Sequence, residues 1–165
     1  MKMALPEEFN RIQWYGRGPH ENYVDRKNSA FVGVYKSSVA EMIVPYVSIQ
    51  EYGNRVDTRW VALSNEEGSG LLAAGMPEID FSALPYTSED LTQDKRGDKH
   101  PVDIAKRDFV SFNLDYGQMG VGGDDSWGAF PHPQYQLRVR EYAYAFRLRP
   151  FSKNDDLTAL SKILF

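Results

Sequence analysis

A glycine-rich segment, Gly122-Gly123-Asp124-Asp125-Ser126-Trp127, holds the residues with the clearest potential for chemistry. Paired carboxylates can catalyse glycoside hydrolysis or bind calcium, and Asp124 and Asp125 are such a pair. Adjacent residues of an extended segment point in opposite directions, however, so the alternative is that the pair only forms a turn. A tryptophan on such a loop can bind the apolar C–H face of a sugar, or it can pack in the core beneath the loop. The residue types leave both interpretations of Trp127 open.

A second polar motif runs from Gly16 to Tyr23 and contains Arg17, His20, Glu21 and Asn22. These side chains could bind a polyol, or they could form a buried network that fixes a loop between two strands. A sugar epimerase would need an acid and a base that face one ring oxygen. His20 and Glu21 are adjacent, so on a strand they would diverge.

Several other chemistries are not expected. The chain has no cysteine, and its three histidines lack the spacing of a helical zinc site, so no metal ligand is predicted. The formal net charge is −4 without basic runs, which argues against nucleic acid as a partner. No apolar run approaches the roughly 20 residues of a membrane helix, and no signal peptide is recognisable, so no membrane partner is expected. Neither observation assigns a compartment.

The elements that must position these residues are predicted to be short strands. The chain of 165 residues suits one domain, over residues 1–150, followed by a tail over 151–165. Alternation and turn residues predict strands at 9–15, 31–35, 55–63, 70–74, 78–84, 110–114 and 134–148, the last with a β-bulge at Arg140-Glu141. In the strand at 55–63, Arg55, Asp57 and Arg59 are expected to line one charged face.

Two short helices complete the prediction. One would begin at Ser88, and the other, in the tail, would be capped by Asn154 or Asp155, with a disordered tail as the alternative. The fold class is therefore mainly β, an antiparallel β-sandwich.

Three blocks of sequence resemble the C-terminal, small-chain (domain 5-like) region of β-galactosidases of glycoside hydrolase family 2. The blocks are Leu5-Pro6 with Trp14–Tyr23 and Asp25-Arg26; Pro45-Tyr46, Gln50-Glu51 and Gly53–Arg55 with Thr58–Trp60; and Met119–Trp127. Tyr142 and Tyr144 follow in the closing strand, and the resemblance spans about residues 1–149. It departs from the family pattern at Ser48-Ile49, where a proline before Gln50 is expected, and at Tyr52, where an asparagine is expected.

The resemblance implies a galactose-mutarotase-like supersandwich of which this chain is the later part, with earlier strands preceding Met1. Exposed strand edges would then favour self-association or β-augmentation. It also implies a parent enzyme that hydrolyses terminal non-reducing β-D-galactosides by a retaining mechanism. Both catalytic glutamates of that mechanism belong to a barrel domain outside this chain. The chain would therefore contain no catalytic residue and be inactive alone.

The same resemblance assigns the site residues. Trp127 would bind substrate, and Gly122, Gly123, Asp124, Asp125 and Ser126 would shape its loop. The implied partners are a β-galactoside, the barrel domain of the parent polypeptide, and further copies of that polypeptide in a homo-oligomer. No cofactor is expected in this chain, although the parent enzyme could use divalent and monovalent cations. The alternatives are a free-standing carbohydrate-binding module and a mutarotase-like sugar epimerase.

Overall fold

Seven antiparallel strands account for most of the fold. The computed structural model describes residues 1–93, 99–123, 125 and 127–163. Within these residues the strands are β1 (Lys2–Pro6), β2 (Arg11–Gly18), β3 (Phe31–Ser38), β4 (Arg55–Ser64), β5 (Gly70–Leu84), β6 (Phe109–Asp115) and β7 (Ala145–Phe151). A helix, α1 (Leu157–Lys162), follows β7, and single 3-10 turns lie at Ala40–Met42, Pro101–Asp103 and Pro133–Tyr135.

The strands form one sheet in the order β1-β6-β5-β4-β2-β3. The 15-residue strand β5 is its centre. On one edge β5 pairs with β4, and on the other edge its first half pairs with β7 and its second half with β6. The mainly β, antiparallel fold class is thus confirmed, and the architecture is consistent with a β-sandwich.

Both faces of the sheet bury apolar side chains. The larger cluster is built around Trp14, Phe81 and Phe112, and the segments that connect the strands cover it. Because side chains alternate between the two faces along β4, Trp60 and Ala62 lie on the opposite face. There, together with Leu72 and Ala74, they form a second cluster that α1 covers. Because β4 is buried on both sides, the sheet has no solvent face at its centre.

The predicted strand at 134–148 is wrong over its first part. Strand β7 begins only at Ala145, and no bulge occurs at Arg140-Glu141 because these residues are not in the ladder. The reason is that β6 already pairs with Asp80–Leu84 of β5, so a longer last strand would have no free edge to bind. Tyr142 instead stacks under the Arg140 guanidinium, 4.9 Å from its ring centroid.

The predicted helix at Ser88 is a turn. Thr87 donates its backbone N–H and its hydroxyl to Asp90 Oδ2 over 2.9 and 3.0 Å, as in a helix cap. The Asp90 carboxylate is also paired with Arg107 at 2.6 Å. In the tail, the helix cap is Asp156 rather than Asn154 or Asp155.

The charged face expected on β4 does not form as predicted. Arg55 is only 3% exposed, and its guanidinium lies 5.6 Å from the Trp14 ring centroid. The pairing of β4 with β5 shifts register on both sides of Thr58, and Asp57 has a left-handed backbone with φ 52°. These irregularities break the strict alternation on which the prediction rested.

Candidate functional site

Trp127 projects into solvent. Its side chain is 92% exposed, whereas Trp14 and Trp60 are each 1% exposed in the two cores. Its backbone N–H donates to Asp125 Oδ1 over 2.8 Å, and the N–H of Ala129 donates to the same oxygen over 3.2 Å. Asp125 therefore forms the turn that carries the ring. The ring does not pack in the core of this chain, as the second of the two interpretations of Trp127 would require.

The glycines of the loop have backbone conformations that other residues rarely adopt. Gly122 has φ +66° and Gly123 has φ +103°. A Cβ at Gly122 would also lie 2.7 Å from the carbonyl oxygen of Ala129. A Cβ at Gly123 would meet nothing within 4 Å, so at that position only the dihedral angle favours glycine. Asp124 and Ser126, the other predicted loop-shaping residues, lie outside the described residues.

Asp25 holds the base of this loop, and sequence reasoning did not single it out as a site residue. Its Oδ1 accepts the N–H of Val121 over 3.1 Å, and its Oδ2 accepts the N–H of Gly122 over 2.8 Å. A Cβ at Gly120 would stand 2.5 Å from the same Oδ2. The glycine at position 120 is the signal that could have revealed the contact, because it marks a close approach to another group.

The polar motif around Glu21 forms a buried network. Glu21 is 5% exposed, contacts the side chains of Arg26 and Tyr46 through Oε1, and accepts the N–H of Gly53 at Oε2 over 2.8 Å. Asn22 is fully buried, and its Oδ1 accepts the N–H of Val56 over 2.9 Å. With these groups satisfied inside the protein, the network interpretation is favoured over a polyol site.

The remaining polar residues of the motif also have protein partners. Arg17 pairs with Asp57 at 2.5 Å, and the His20 ring nitrogen Nε2 lies 3.0 Å from the Ser29 hydroxyl. Burial alone would raise the pKa of Asp57, but hydrogen bonds from Arg17 and Lys27, with their charges, hold that pKa below its usual value. Because His20 and Glu21 contact different groups, the motif does not present them together as an acid and base.

A pocket of about 260 Å³ lies at the start of the loop. Its lining includes Asp57, Asp80, Tyr116, Gln118 and Arg140. Asp80 is 8% exposed and accepts the N–H of Gln118 over 3.2 Å. Desolvation by burial raises the pKa of Asp80 to about 7. Sequence reasoning missed Asp80. Its position within a strand gives no sign that Gln118, at the start of the loop, covers its carboxyl group.

Over the described ranges, no three histidine, aspartate or glutamate side chains come close enough together to hold a metal ion. In the same part of the chain, no helix has the length and apolar character needed to cross a membrane.

Comparison with known proteins identifies the family. Residues 1–148 match the family described as "Beta galactosidase small chain", and the chain belongs to it. Relatives include the β-galactosidase of Priestia megaterium, 43% identical over 151 residues, which is 91% of this chain and 14% of the relative. The β-galactosidase of Vibrio cholerae is 40% identical over 149 residues, 90% of this chain and 14% of the relative. That of Halalkalibacterium halodurans is 36% identical over 140 residues, 84% of this chain and 13% of the relative. The chain thus spans about a seventh of the length of these relatives.

Proposed function

We propose that this chain is the small-chain part of a β-galactosidase and that Trp127 is its contribution to the sugar site. The observation that carries the proposal is the 92% exposure of a tryptophan whose loop is fixed at two points, by Asp25 and by Asp125. Leaving so large an apolar ring in water forgoes roughly 2–3 kcal/mol of burial. A ligand that covers the ring recovers that free energy.

A galactoside suits this ring because one face of the sugar carries C–H groups while its hydroxyls remain free for hydrogen bonds. The loop is already held by backbone hydrogen bonds, so little conformational entropy is lost when the ring binds. The apolar ring supplies contact area without a charge that would need desolvation.

The chemistry of the parent enzyme would be retaining hydrolysis. A carboxylic acid protonates the glycosidic oxygen while a carboxylate attacks the anomeric carbon, and water then releases the sugar from the covalent intermediate. We assign both carboxylates to a barrel domain outside this chain. The seven-stranded sheet would be one layer of a supersandwich that stands beside that domain, and this chain alone would not hydrolyse galactosides.

The test replaces the matching region of the Priestia megaterium β-galactosidase with this chain and measures hydrolysis of an aryl β-galactoside. Trp127→Ala should lower kcat/KM by about 5- to 150-fold, corresponding to about 1–3 kcal/mol of lost stacking. Phe130→Ala is the matched control, because Phe130 is another exposed aromatic residue, 79% accessible and three positions away. It should change kcat/KM less than twofold. A Trp127→Ala variant with unchanged kcat/KM would remove this residue from the site.

The exposed ring also supports a second candidate, a free-standing carbohydrate-binding module. One ring without surrounding walls should bind galactose or lactose with a Kd of about 1 mM or weaker. A titration of the isolated 165-residue chain separates the two candidates. Saturation well below that concentration would favour the module. Detectable galactoside hydrolysis by the isolated chain would contradict the assignment of both catalytic carboxylates to a domain outside it.

A further inference from the structure

We propose that Asp25 is a positioning residue for Trp127, and that buried Glu21 and Asn22 anchor the turn on which Asp25 lies. This inference rests on the proposed function of Trp127, but it concerns a residue whose carboxylate is bonded to the loop backbone. It joins the first and third of the sequence blocks, which are 96 and 97 residues apart at the two contacts.

The contact is a two-point clamp. One carboxylate oxygen of Asp25 accepts the N–H of Val121 over 3.1 Å, and the other accepts that of Gly122 over 2.8 Å. Hydrogen bonds from backbone N–H groups to a carboxylate are about twice as strong as those between neutral groups. Two of them to one planar group fix both the position and the orientation of the loop backbone.

The carboxylate is itself held in a defined place. The N–H of Arg26 donates to the carbonyl of Tyr23 over 2.8 Å, and the N–H of Tyr23 donates back to Arg26 over 3.3 Å, so that Asp25 lies in a tight turn. The two residues before this turn, Glu21 and Asn22, are buried and bonded to the backbone of Gly53 and Val56. The buried network thus anchors the turn whose tip is Asp25.

The loop is shaped to accept this clamp. A Cβ at position 120 would lie 2.5 Å from Asp25 Oδ2, so a side chain there would displace the carboxylate from the loop. The N–H of Gly120 also donates to the carbonyl of Tyr135 over 2.8 Å, which holds the other side of the loop base. Asp25 therefore fixes the base, Asp125 closes the turn beyond it, and Trp127 stands on that turn.

The first experiment measures the clamp directly, by amide hydrogen exchange on the 165-residue chain. Asp25→Asn keeps the size of the side chain but turns one acceptor into a donor that faces a backbone N–H. Exchange of the Val121 and Gly122 amides should accelerate about tenfold or more, while amides of β4 remain protected. Asp103→Asn is the control, because Asp103 also accepts a backbone N–H, from His100 over 2.8 Å, in a different loop. Unchanged exchange at both loop amides would overturn the proposal.

A second variant approaches the clamp from the loop. Gly120→Ala places a methyl group against Asp25 and leaves the motif around Glu21 intact. It should accelerate the same two amides, even if a substitution at Asp25 prevents folding. Normal protection in a folded Gly120→Ala protein would contradict the clamp.

The second experiment asks whether the clamp acts through Trp127, using the Priestia megaterium chimera. Asp25→Asn should raise KM more than it lowers kcat, and should reduce kcat/KM by about 3- to 100-fold. In a Trp127→Ala background the same change should have no further effect, because the ring that it positions is gone. An equal loss in both backgrounds would show that Asp25 acts elsewhere. If Trp127→Ala itself has no effect, the proposed function fails, whereas the exchange data still report on the clamp.

Discussion

Asp80 is a buried carboxyl group whose protonation should change the stability of the chain with pH. It lies directly across from Asp115 in the pairing of β5 with β6. Burial raises its pKa to about 7, the charges of Asp57 and Asp115 add to the rise, and hydrogen bonds from Asn54 and Gln118 oppose it. The pKa of an aspartate in an unfolded chain is about 3.9, so the folded protein binds the proton more tightly. The free energy of unfolding should therefore fall as pH rises from about 4 to about 7.

Replacing this residue should remove that dependence. Asp80→Asn keeps an oxygen to accept the Gln118 N–H but carries no charge to desolvate. At pH 8 the variant should be more stable than the parent chain by up to about 4 kcal/mol, since one pKa unit corresponds to 1.36 kcal/mol. Each kcal/mol should raise Tm by about 2–4 °C. Melting at pH 8 and at pH 5 checks this, and a gain of equal size at both values would refute the electrostatic explanation.

At the residue scale, sequence reasoning singled out Trp127 and its glycines because they lie within one short segment. It could not decide whether the ring is buried or exposed, since a glycine-flanked loop allows both. The sequence gives no sign that Asp25 contacts the loop, because its partners at 121 and 122 are remote in sequence. Contacts of this kind become visible only when the chain is folded.

Helix α1 is an element that could not exist in isolation. Its six residues are fewer than the roughly 12 that an isolated helix needs for even marginal stability. The Asp156 side chain accepts the N–H of Thr158 over 2.9 Å, and Arg147 of β7 donates to the carbonyl of Ser161 over 2.6 Å. Leu157 and Leu160 pack on the cluster around Trp60. Tertiary contacts, rather than helix propensity, thus maintain the element.

Truncating those two leucines should therefore destabilise the whole sheet. Leu157→Ala and Leu160→Ala should each lower the free energy of unfolding by about 1–2 kcal/mol, less than for fully buried leucines because both are half-buried. Leu137→Ala is the control, since Leu137 is 45% exposed and should cost less than about 0.5 kcal/mol. Urea denaturation measures all three. Equal values for the tail variants and the control would show that α1 merely rests on the surface.

Prediction of elements succeeded where alternation and turn residues agreed. Strand β4 lies at Arg55–Ser64, close to its predicted bounds, although its alternation breaks around Thr58, and β2 at Arg11–Gly18 overlaps its predicted range. Prediction failed at 134–144, where Tyr142 and Tyr144 pack against the ring of Tyr116 instead of pairing with a strand. Tyr116 and Tyr142 have ring centroids 5.0 Å apart, and Tyr116 and Tyr144 6.3 Å. A periodic pattern cannot show whether a neighbouring strand has a free edge. Here β6 already pairs with the edge of β5 that residues 134–144 would need.

Considered as a whole molecule, the chain has an unprotected edge at β3. Among the described residues this strand pairs with β2 alone, so the N–H and C=O groups along its outer side have no strand partner. Phe31, Val32 and Val34 are 74%, 43% and 54% exposed. Lys36 is its one charged residue, whereas natural edge strands usually carry several protective charges, a proline or a bulge.

The isolated chain should therefore associate through this edge. Antiparallel pairing of two β3 strands about Val34 would place Lys36 opposite Val32 of the second copy, so that the two like charges are not directly opposed. Sedimentation velocity over a range of concentrations should show a dimer that Val32→Lys with Val34→Lys disperses. Val102→Lys, at a position 91% exposed and outside the strands, should leave the dimer intact. A chain that stays strictly monomeric at high concentration would contradict this prediction. Equal dispersal by Val102→Lys would mean that added charge alone, rather than loss of edge pairing, separates the copies.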